Sequence, residues 1–134
     1  MPERMFRVNT ILCVVGSILL LATSALHGSG YSQVSDAISK SDASVFLKHV
    51  VPGLWAHFSI HLVILAAISL VSAFSRQRVR ILTTLLALAA AADAAWAFSL
   101  AGFFVGVALP AAAALCFALA ALAPGNLIQR MPTD

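Results

Sequence analysis

Long apolar runs separated by short polar segments extend over most of this chain. A membrane-spanning helix needs about 20 predominantly apolar residues. The last run, 81–123, is about twice as long as one span, so it must fold back on itself, and residues 99–102 are the expected place. The predicted spans are about 8–27, 50–74, 81–98 and 103–123. The pattern therefore predicts an all-α membrane protein in which four transmembrane helices form one compact bundle, a single domain over residues 1–134.

The serine-rich segment 28–49 predicts an outer loop between the first two spans. Within it, Ser41 and Asp42 are suited to cap a short helix through residues 45–47, whose apolar side chains would rest on the membrane surface. A solvated connector is the other interpretation of this segment, and it is the favoured one. Pro52 then falls in the first turn of the second span, where a helix tolerates proline.

The basic residues indicate an orientation. Six arginines flank the apolar runs on one side of the predicted membrane: Arg4, Arg7, Arg76, Arg78, Arg80 and Arg130. The other side carries Lys40 and Lys48. Because cytoplasmic flanks carry the excess of Arg and Lys, both termini are predicted to be cytoplasmic, with the protein in the inner (plasma) membrane of the cell.

The first apolar run also has features of a secretory signal peptide, with small residues at 22–25 that resemble a cleavage site. Cleavage there would leave three spans and place His27 near the new N-terminus. The length of the run favours an uncleaved first span over this alternative.

Composition supports the membrane assignment. Of the 134 residues, 61% are hydrophobic and 10% are charged, against about 25% charged residues in soluble domains. The net charge of +3 does not indicate nucleic-acid binding, because the basic residues flank apolar runs. Cys13 and Cys116 lie within apolar runs and form no C-x-x-C motif, which favours cysteines that act as small apolar residues.

Helical periodicity predicts which faces look inward. On the first span, small and polar residues recur on one face: Asn9, Cys13, Gly16, Leu20, Thr23 and His27. On the second, the face of His57 and His61 also carries Leu54, Ile64, Leu65 and Ile68. On the third, Asp93 has alanine neighbours at 89 and 97. The G-x-x-x-G spacing of Gly102 and Gly106 predicts a packing face on the fourth span.

The strongest functional feature is the set of ionisable residues inside apolar spans. An ionisable side chain at the centre of a bilayer costs about 2.5–3.5 kcal/mol, and such residues often mark functional sites. Counting residues along the helices at about 1.5 Å each places His57, His61 and Asp93 at similar depths in the outer half of the bundle. His27 lies just above them, at the end of the first span.

One interpretation of this cluster is a metal or haem site. His57 and His61 form an H-x-x-x-H motif on one helical face, and His27 and Asp93 from other helices would complete a ligand set for zinc, iron or copper. A b-type haem would take His27 and His57 as axial ligands. The motif lacks the glutamate of the H-E-x-x-H zinc peptidases, so no metalloprotease is predicted.

Two other interpretations remain open. Asp93 with a histidine partner can exchange a proton with a ligand near neutral pH, in a proton-linked transporter or in a membrane enzyme that acts on a lipid-like substrate. Alternatively, Asp93 only bonds to His57 or His61 and stabilises an accessory or structural subunit of a membrane complex. Trp96, one turn from Asp93, would line a pocket or fill space.

We therefore predict a small integral membrane protein that binds a small ligand or a metal through its His/Asp cluster. The predicted ligand-binding residues are His57, His61, Asp93 and Trp96, and Asp93 is also the candidate for proton transfer. The predicted metal ligands are His27, His57, His61 and Asp93. Expected partners are membrane lipids and either a second copy of the chain or a larger membrane complex.

Overall fold

The computed structural model describes residues 2–74 and 80–123, with side chains from residue 8 onward. The described residues form five helices: α1 (Pro2–Ser29), α2 (Tyr31–Ser39), α3 (Val45–Phe74), α4 (Arg80–Ala101) and α5 (Val105–Leu122). Residues 75–79 and 124–134, which contain Arg76, Arg78 and Arg130, lie outside the described residues.

Four helical stretches in the described chain are long and apolar enough to cross a membrane, one of them being α1 together with α2. At about 1.5 Å per residue, α5 is about 27 Å long and α3 about 45 Å, against about 30 Å for the hydrocarbon core of a bilayer. The helices thus confirm the predicted all-α architecture with four candidate spans, and they indicate a small multi-pass membrane protein.

The segment predicted as an outer loop is mostly helical. Helix α2 follows α1 after a turn at Gly30, whose N–H donates to the carbonyl of His27 at 3.1 Å. Val34 and Ile38, one helical turn apart, are half-buried, and α2 packs against α3. Two apolar residues at this spacing give a serine-rich segment enough of an apolar face to form a helix on a neighbouring one.

Helix α3 begins earlier than predicted, so residues 45–47 are its first turn and not a separate surface helix. The N–H of Leu47 donates to Oγ of Ser44 at 3.4 Å, which places the cap at Ser44 instead of Ser41–Asp42. Pro52 consequently lies inside the helix, where it is buried. Membrane-type helices tolerate such a proline because neighbouring groups compensate for the missing hydrogen bond.

Helix α1 is the centre of the bundle. It packs along α3 and α5, while α4 packs mainly on α5, and α3 and α4 touch only slightly. All four contribute to the core, whose largest buried side chains include Leu20, Leu62 and Phe117. Phe117 covers Gly16 so closely that a Cβ atom on this glycine would lie 2.5 Å from the ring. The absence of a side chain at Gly16 therefore allows α1 and α5 to approach each other.

Side-chain hydrogen bonds connect α1 and α3 along their length. Thr10 Oγ1 donates to the carbonyl of Ala73 at 3.4 Å, and Ser69 Oγ donates to that of Cys13 at 3.2 Å. Further along, Ser24 Oγ donates to the carbonyl of Ser59 at 2.8 Å. Residue numbers fall on α3 as they rise on α1, so the two helices are antiparallel. Hydrogen bonds of this kind specify register in an apolar environment.

The predicted buried face is correct for α1 and incorrect for α3. The predicted inward stripe of α1 is confirmed, because its members from Asn9 to Thr23 are buried. The predicted inward face of α3 is wrong, since Leu54, Ile64 and His57 are exposed. Helix α3 instead buries Leu62, Ala66, Ser69 and Ala73. Small residues and a hydrogen-bonding serine let this face approach α1, whereas periodicity could not separate two equally apolar faces.

The chain folds back between α4 and α5 close to the predicted place. Gly102 has a positive φ of 70°, and its N–H donates to the carbonyl of Phe98 at 2.8 Å. Gly102 therefore ends α4 in the left-handed conformation typical of a helix C-terminus. Because α5 begins at Val105, Gly102 and Gly106 do not share a helix, and the ring of Phe104 covers Gly106. The predicted G-x-x-x-G packing face is thus wrong.

Two glycine substitutions should change stability in opposite directions. Gly102→Ala should lower the free energy of unfolding by about 1–2 kcal/mol, because a Cβ atom disfavours a positive φ. Gly53→Ala should raise it by about 0.5–1 kcal/mol, because Gly53 lies inside α3 and an added Cβ atom would meet open space. Unfolding of both variants in detergent with increasing SDS checks the signs, and equal effects of the two changes would contradict this account of the turn.

Candidate functional site

The candidate site lies where α3 and α4 meet. Nε2 of His61 is 3.4 Å from Oδ2 of Asp93. The side chain of His61 is 39% exposed and that of Asp93 is 16% exposed. The contact is within ion-pair distance but longer than a good hydrogen bond. It bridges two helices that otherwise touch only slightly, and we call this part of the bundle surface the α3–α4 side.

One oxygen of the Asp93 carboxyl group accepts no hydrogen bond within the described part of the chain. Its Oδ2 is buried and has no hydrogen-bond partner among the described residues. Ala90 and Ala94, which adjoin it on α4, are buried against the core, so small side chains let the helix hold this carboxyl group at the edge of the buried stripe. A buried polar atom without a partner costs about 1–3 kcal/mol, and such an atom in a folded protein calls for an explanation.

His57 and Trp96 flank the pair and are exposed. His57 precedes His61 by one turn on α3, and Trp96 follows Asp93 by one turn on α4 with 66% of its surface exposed. Helical spacing therefore places each of them about one turn from a member of the pair. The direct polar contact, however, is between His61 and Asp93.

His27 has a different environment from the one predicted. Its ring stacks on the indole of Trp55, with centroids 3.9 Å apart and an interplanar angle of 15°. The edge of Phe58 contacts it at a centroid distance of 4.9 Å. Nε1 of Trp55 donates to the backbone carbonyl of His27 at 2.8 Å. His27, in the last turn of α1, thus packs against Trp55 and Phe58 of α3.

Phe58 lies beside two histidines of the predicted cluster. Its ring neighbours those of both His27 and His61, at centroid distances of 4.9 Å and 6.4 Å, so an aromatic side chain occupies a position next to both imidazoles. The roles of Trp55 and Phe58 are not predicted by the sequence, because aromatic residues near a membrane interface are common and their spacing alone does not indicate a stack. The i, i+3 spacing of the two on α3 is the one feature that could have placed both against the same partner.

The structure does not support the predicted metal centre. Among the described residues, no group of three or more His, Cys, Asp and Glu side chains could hold a metal ion. His27, His57, His61 and Asp93 therefore do not form one zinc, iron or copper site. The predicted haem ligation by His27 and His57 is also unsupported, because Nε2 of His27 is buried beneath its aromatic neighbours.

On α3 and α4, the described Lys and Arg residues lie far along the helices from the His61–Asp93 pair. The Lys and Arg side chains that the structure describes are Lys40, Lys48 and Arg80. Along their helices, Lys48 is 13 residues from His61 and Arg80 is 13 residues from Asp93, which corresponds to about 20 Å in each case. Lys40 lies beyond the end of α2. The carboxyl group of Asp93 therefore has His61 as its close partner of potentially positive charge.

This arrangement has the chemistry to bind a polar group. It offers carboxyl acceptor capacity, one imidazole in contact with the carboxyl group and a second imidazole one turn away. Comparison of the chain with protein-family models, with curated proteins and with solved structures gave no significant match, so its function is inferred from its own residues.

Proposed function

We propose that this protein binds a small amphipathic ligand on the α3–α4 side, with the polar part of the ligand at His61 and Asp93. The observation that carries the proposal is the partly exposed His61–Asp93 pair on two helices that touch only slightly. Within an apolar span such a pair is costly, so a group that completes its hydrogen bonds would stabilise it. His57 and Trp96 are the proposed additional contacts, because both are exposed beside the pair.

Apolar side chains around the pair suit a ligand with a hydrocarbon portion. Ile64 is 52% exposed one turn after His61, and Leu100 is 70% exposed on α4. A ligand lying along these side chains would keep its apolar part in contact with lipid and helix, while only its polar group reaches Asp93. Binding sites commonly combine an apolar lining with a few such polar groups.

Analysis of co-purifying small molecules tests this proposal. Lipid extracts of the detergent-purified protein should contain a compound that is at least tenfold depleted from Asp93→Asn and from His61→Ala. The matched control is Asp36→Asn, which changes an exposed aspartate on α2 and should retain the compound. Circular dichroism shows whether each variant remains helical. Identical extracts from folded wild-type protein and both site variants would contradict the proposal.

A second candidate function is that of an accessory subunit in a membrane complex. Two features favour an accessory role: the imidazole of His57 is exposed, and α3 and α4 touch only slightly. A helix of another protein could cover both this imidazole and the α3–α4 side. Blue native electrophoresis of mildly solubilised membranes should then show wild-type protein in a larger complex that His57→Ala weakens. Migration of the wild-type protein as a single small species would contradict this alternative.

The proposed setting is the plasma membrane, with both termini in the cytoplasm and α2 outside. The distribution of arginines on either side of the spans supports this orientation. In a background without Cys13 and Cys116, a membrane-impermeant maleimide applied to intact cells should label Ser39→Cys and should not label Arg76→Cys. The reverse labelling pattern would contradict the orientation.

A further inference from the structure

We propose that the head group bound at His61 and Asp93 is a primary ammonium carried by an amphiphile. This inference rests on the proposed function and specifies the class of ligand. A primary ammonium combines three hydrogen-bond donors with a positive charge, and both properties match features of the α3–α4 side.

The first feature is unused acceptor capacity. Oδ2 of Asp93 is buried and has no hydrogen-bond partner among the described residues. Its contact with His61, at 3.4 Å, is too long to satisfy it well. A ligand that accepts hydrogen bonds would leave this oxygen unsatisfied, whereas a ligand that donates them completes it.

The second feature is charge. Among the described side chains of α3 and α4, the Lys and Arg residues are Lys48 and Arg80, and each lies about 20 Å along its helix from the pair. An incoming cation thus meets a carboxyl group without a competing described Lys or Arg on either helix. Hydrogen bonds between an ammonium and a carboxylate are about twice as strong as neutral ones, and an apolar environment strengthens them further. An anionic head group would be repelled by the same carboxylate.

The third feature is access. His61 is 39% exposed and Asp93 is 16% exposed, whereas Oδ2 of Asp93 is buried, so a head group reaches this oxygen only when the imidazole of His61 moves aside. Exposed Ile64 and Trp96 lie one turn from the pair on either helix and provide apolar surface for a hydrocarbon chain. Trp96 also offers an aromatic face to a cation.

Four probes with the same chain separate charge from hydrogen-bond donation: dodecylamine, dodecyltrimethylammonium, dodecanol and dodecanoate. Native mass spectrometry of the full-length protein, at equal mole fractions of probe in the micelle, measures the bound fraction. Dodecylamine should bind at least tenfold more tightly than each of the other three. Asp93→Asn should lower its affinity at least tenfold, and Asp36→Asn should leave it unchanged.

The outcomes distinguish this inference from the proposed function. If Asp93→Asn weakens all four probes equally, the site binds amphiphiles but the ammonium class is wrong. If Asp93→Asn affects none of them, both proposals fail. Where dodecylamine binding is confirmed, added phosphatidylethanolamine identifies the source of the ammonium. Displacement of dodecylamine indicates a lipid head group, and failure to displace it indicates a free amine.

Discussion

Phe117→Ala should lower the free energy of unfolding by about 3–5 kcal/mol. Phe117 is fully buried in the core, and its ring lies over Gly16 at the contact between α1 and α5. Truncation would remove dispersion contacts and leave a cavity that the two helix backbones cannot close. In lipid the loss is mainly one of packing, because hydrophobic burial contributes little between helices. Unfolding with SDS, followed by circular dichroism, measures the change.

Two further variants test the reason for this loss. Leu115→Ala changes a residue of α5 that is 60% exposed, and it should change stability by no more than about 0.5 kcal/mol. Gly16→Leu alone should overpack the contact with Phe117 and cost about 1–3 kcal/mol. Combined with Phe117→Ala, however, it should refill part of the cavity and restore at least about 1 kcal/mol. Additive losses in the double variant would contradict a direct contact between the two positions.

The His61–Asp93 pair should give the second large effect. His61→Leu should lower the free energy of unfolding by about 1–3 kcal/mol, because it leaves the partly buried carboxyl group of Asp93 without its close partner. The double variant His61→Leu/Asp93→Leu should be as stable as the wild type or more stable, because replacing such a pair with apolar residues often stabilises a fold. The same double variant should lose the amphiphile.

Comparing the single and double variants shows whether the His61–Asp93 pair serves ligand binding or holds the fold together. A pair that serves binding is dispensable for the fold, so the double variant should be stable and inactive in the dodecylamine assay. A double variant less stable than either single variant would instead show that the pair holds α3 and α4 together. His57→Leu, one turn away on α3, serves as the control for adding an apolar side chain beside the site.

Much of the fold is predictable from the sequence, for identifiable physical reasons. Apolar length determines the four candidate spans, and the glycine that ends α4 lies within the predicted fold-back. The inward face of α1 is also predictable, because small and polar residues such as Gly16 and Thr23 alternate with larger apolar ones. Where a helix is apolar on every side, periodicity carries little information, and the inward face of α3 was assigned incorrectly for this reason.

The candidate site is predictable only in part. Of the two expected partners of Asp93, His57 and His61, it is His61 that lies within ion-pair distance. The choice between them depends on the rotation of α3, which Leu62 and Ser69 determine through their packing on α1. The predicted metal cluster is not supported, because His27 stacks on Trp55 and His57 is exposed, whereas the polar contact is between His61 and Asp93; residue spacing does not encode these tertiary positions. Similar depth in a membrane is therefore not enough to place side chains within ligand distance of one another.

The proposals require that His61 and Asp93 meet between α3 and α4, and site-specific cross-linking in membranes tests this most directly. The double variant His61→Cys/Asp93→Cys is made in a background without Cys13 and Cys116, and a protease site is inserted in 75–79. The protein is treated with a short bifunctional thiol reagent and is then cleaved at the inserted site. The control pair is His61→Cys/Leu88→Cys, since Leu88 is 62% exposed on α4. The structure predicts that the first pair keeps the two fragments linked on a denaturing gel and that the control pair does not. Separate fragments from the first pair, or equal linkage of both, would contradict the account.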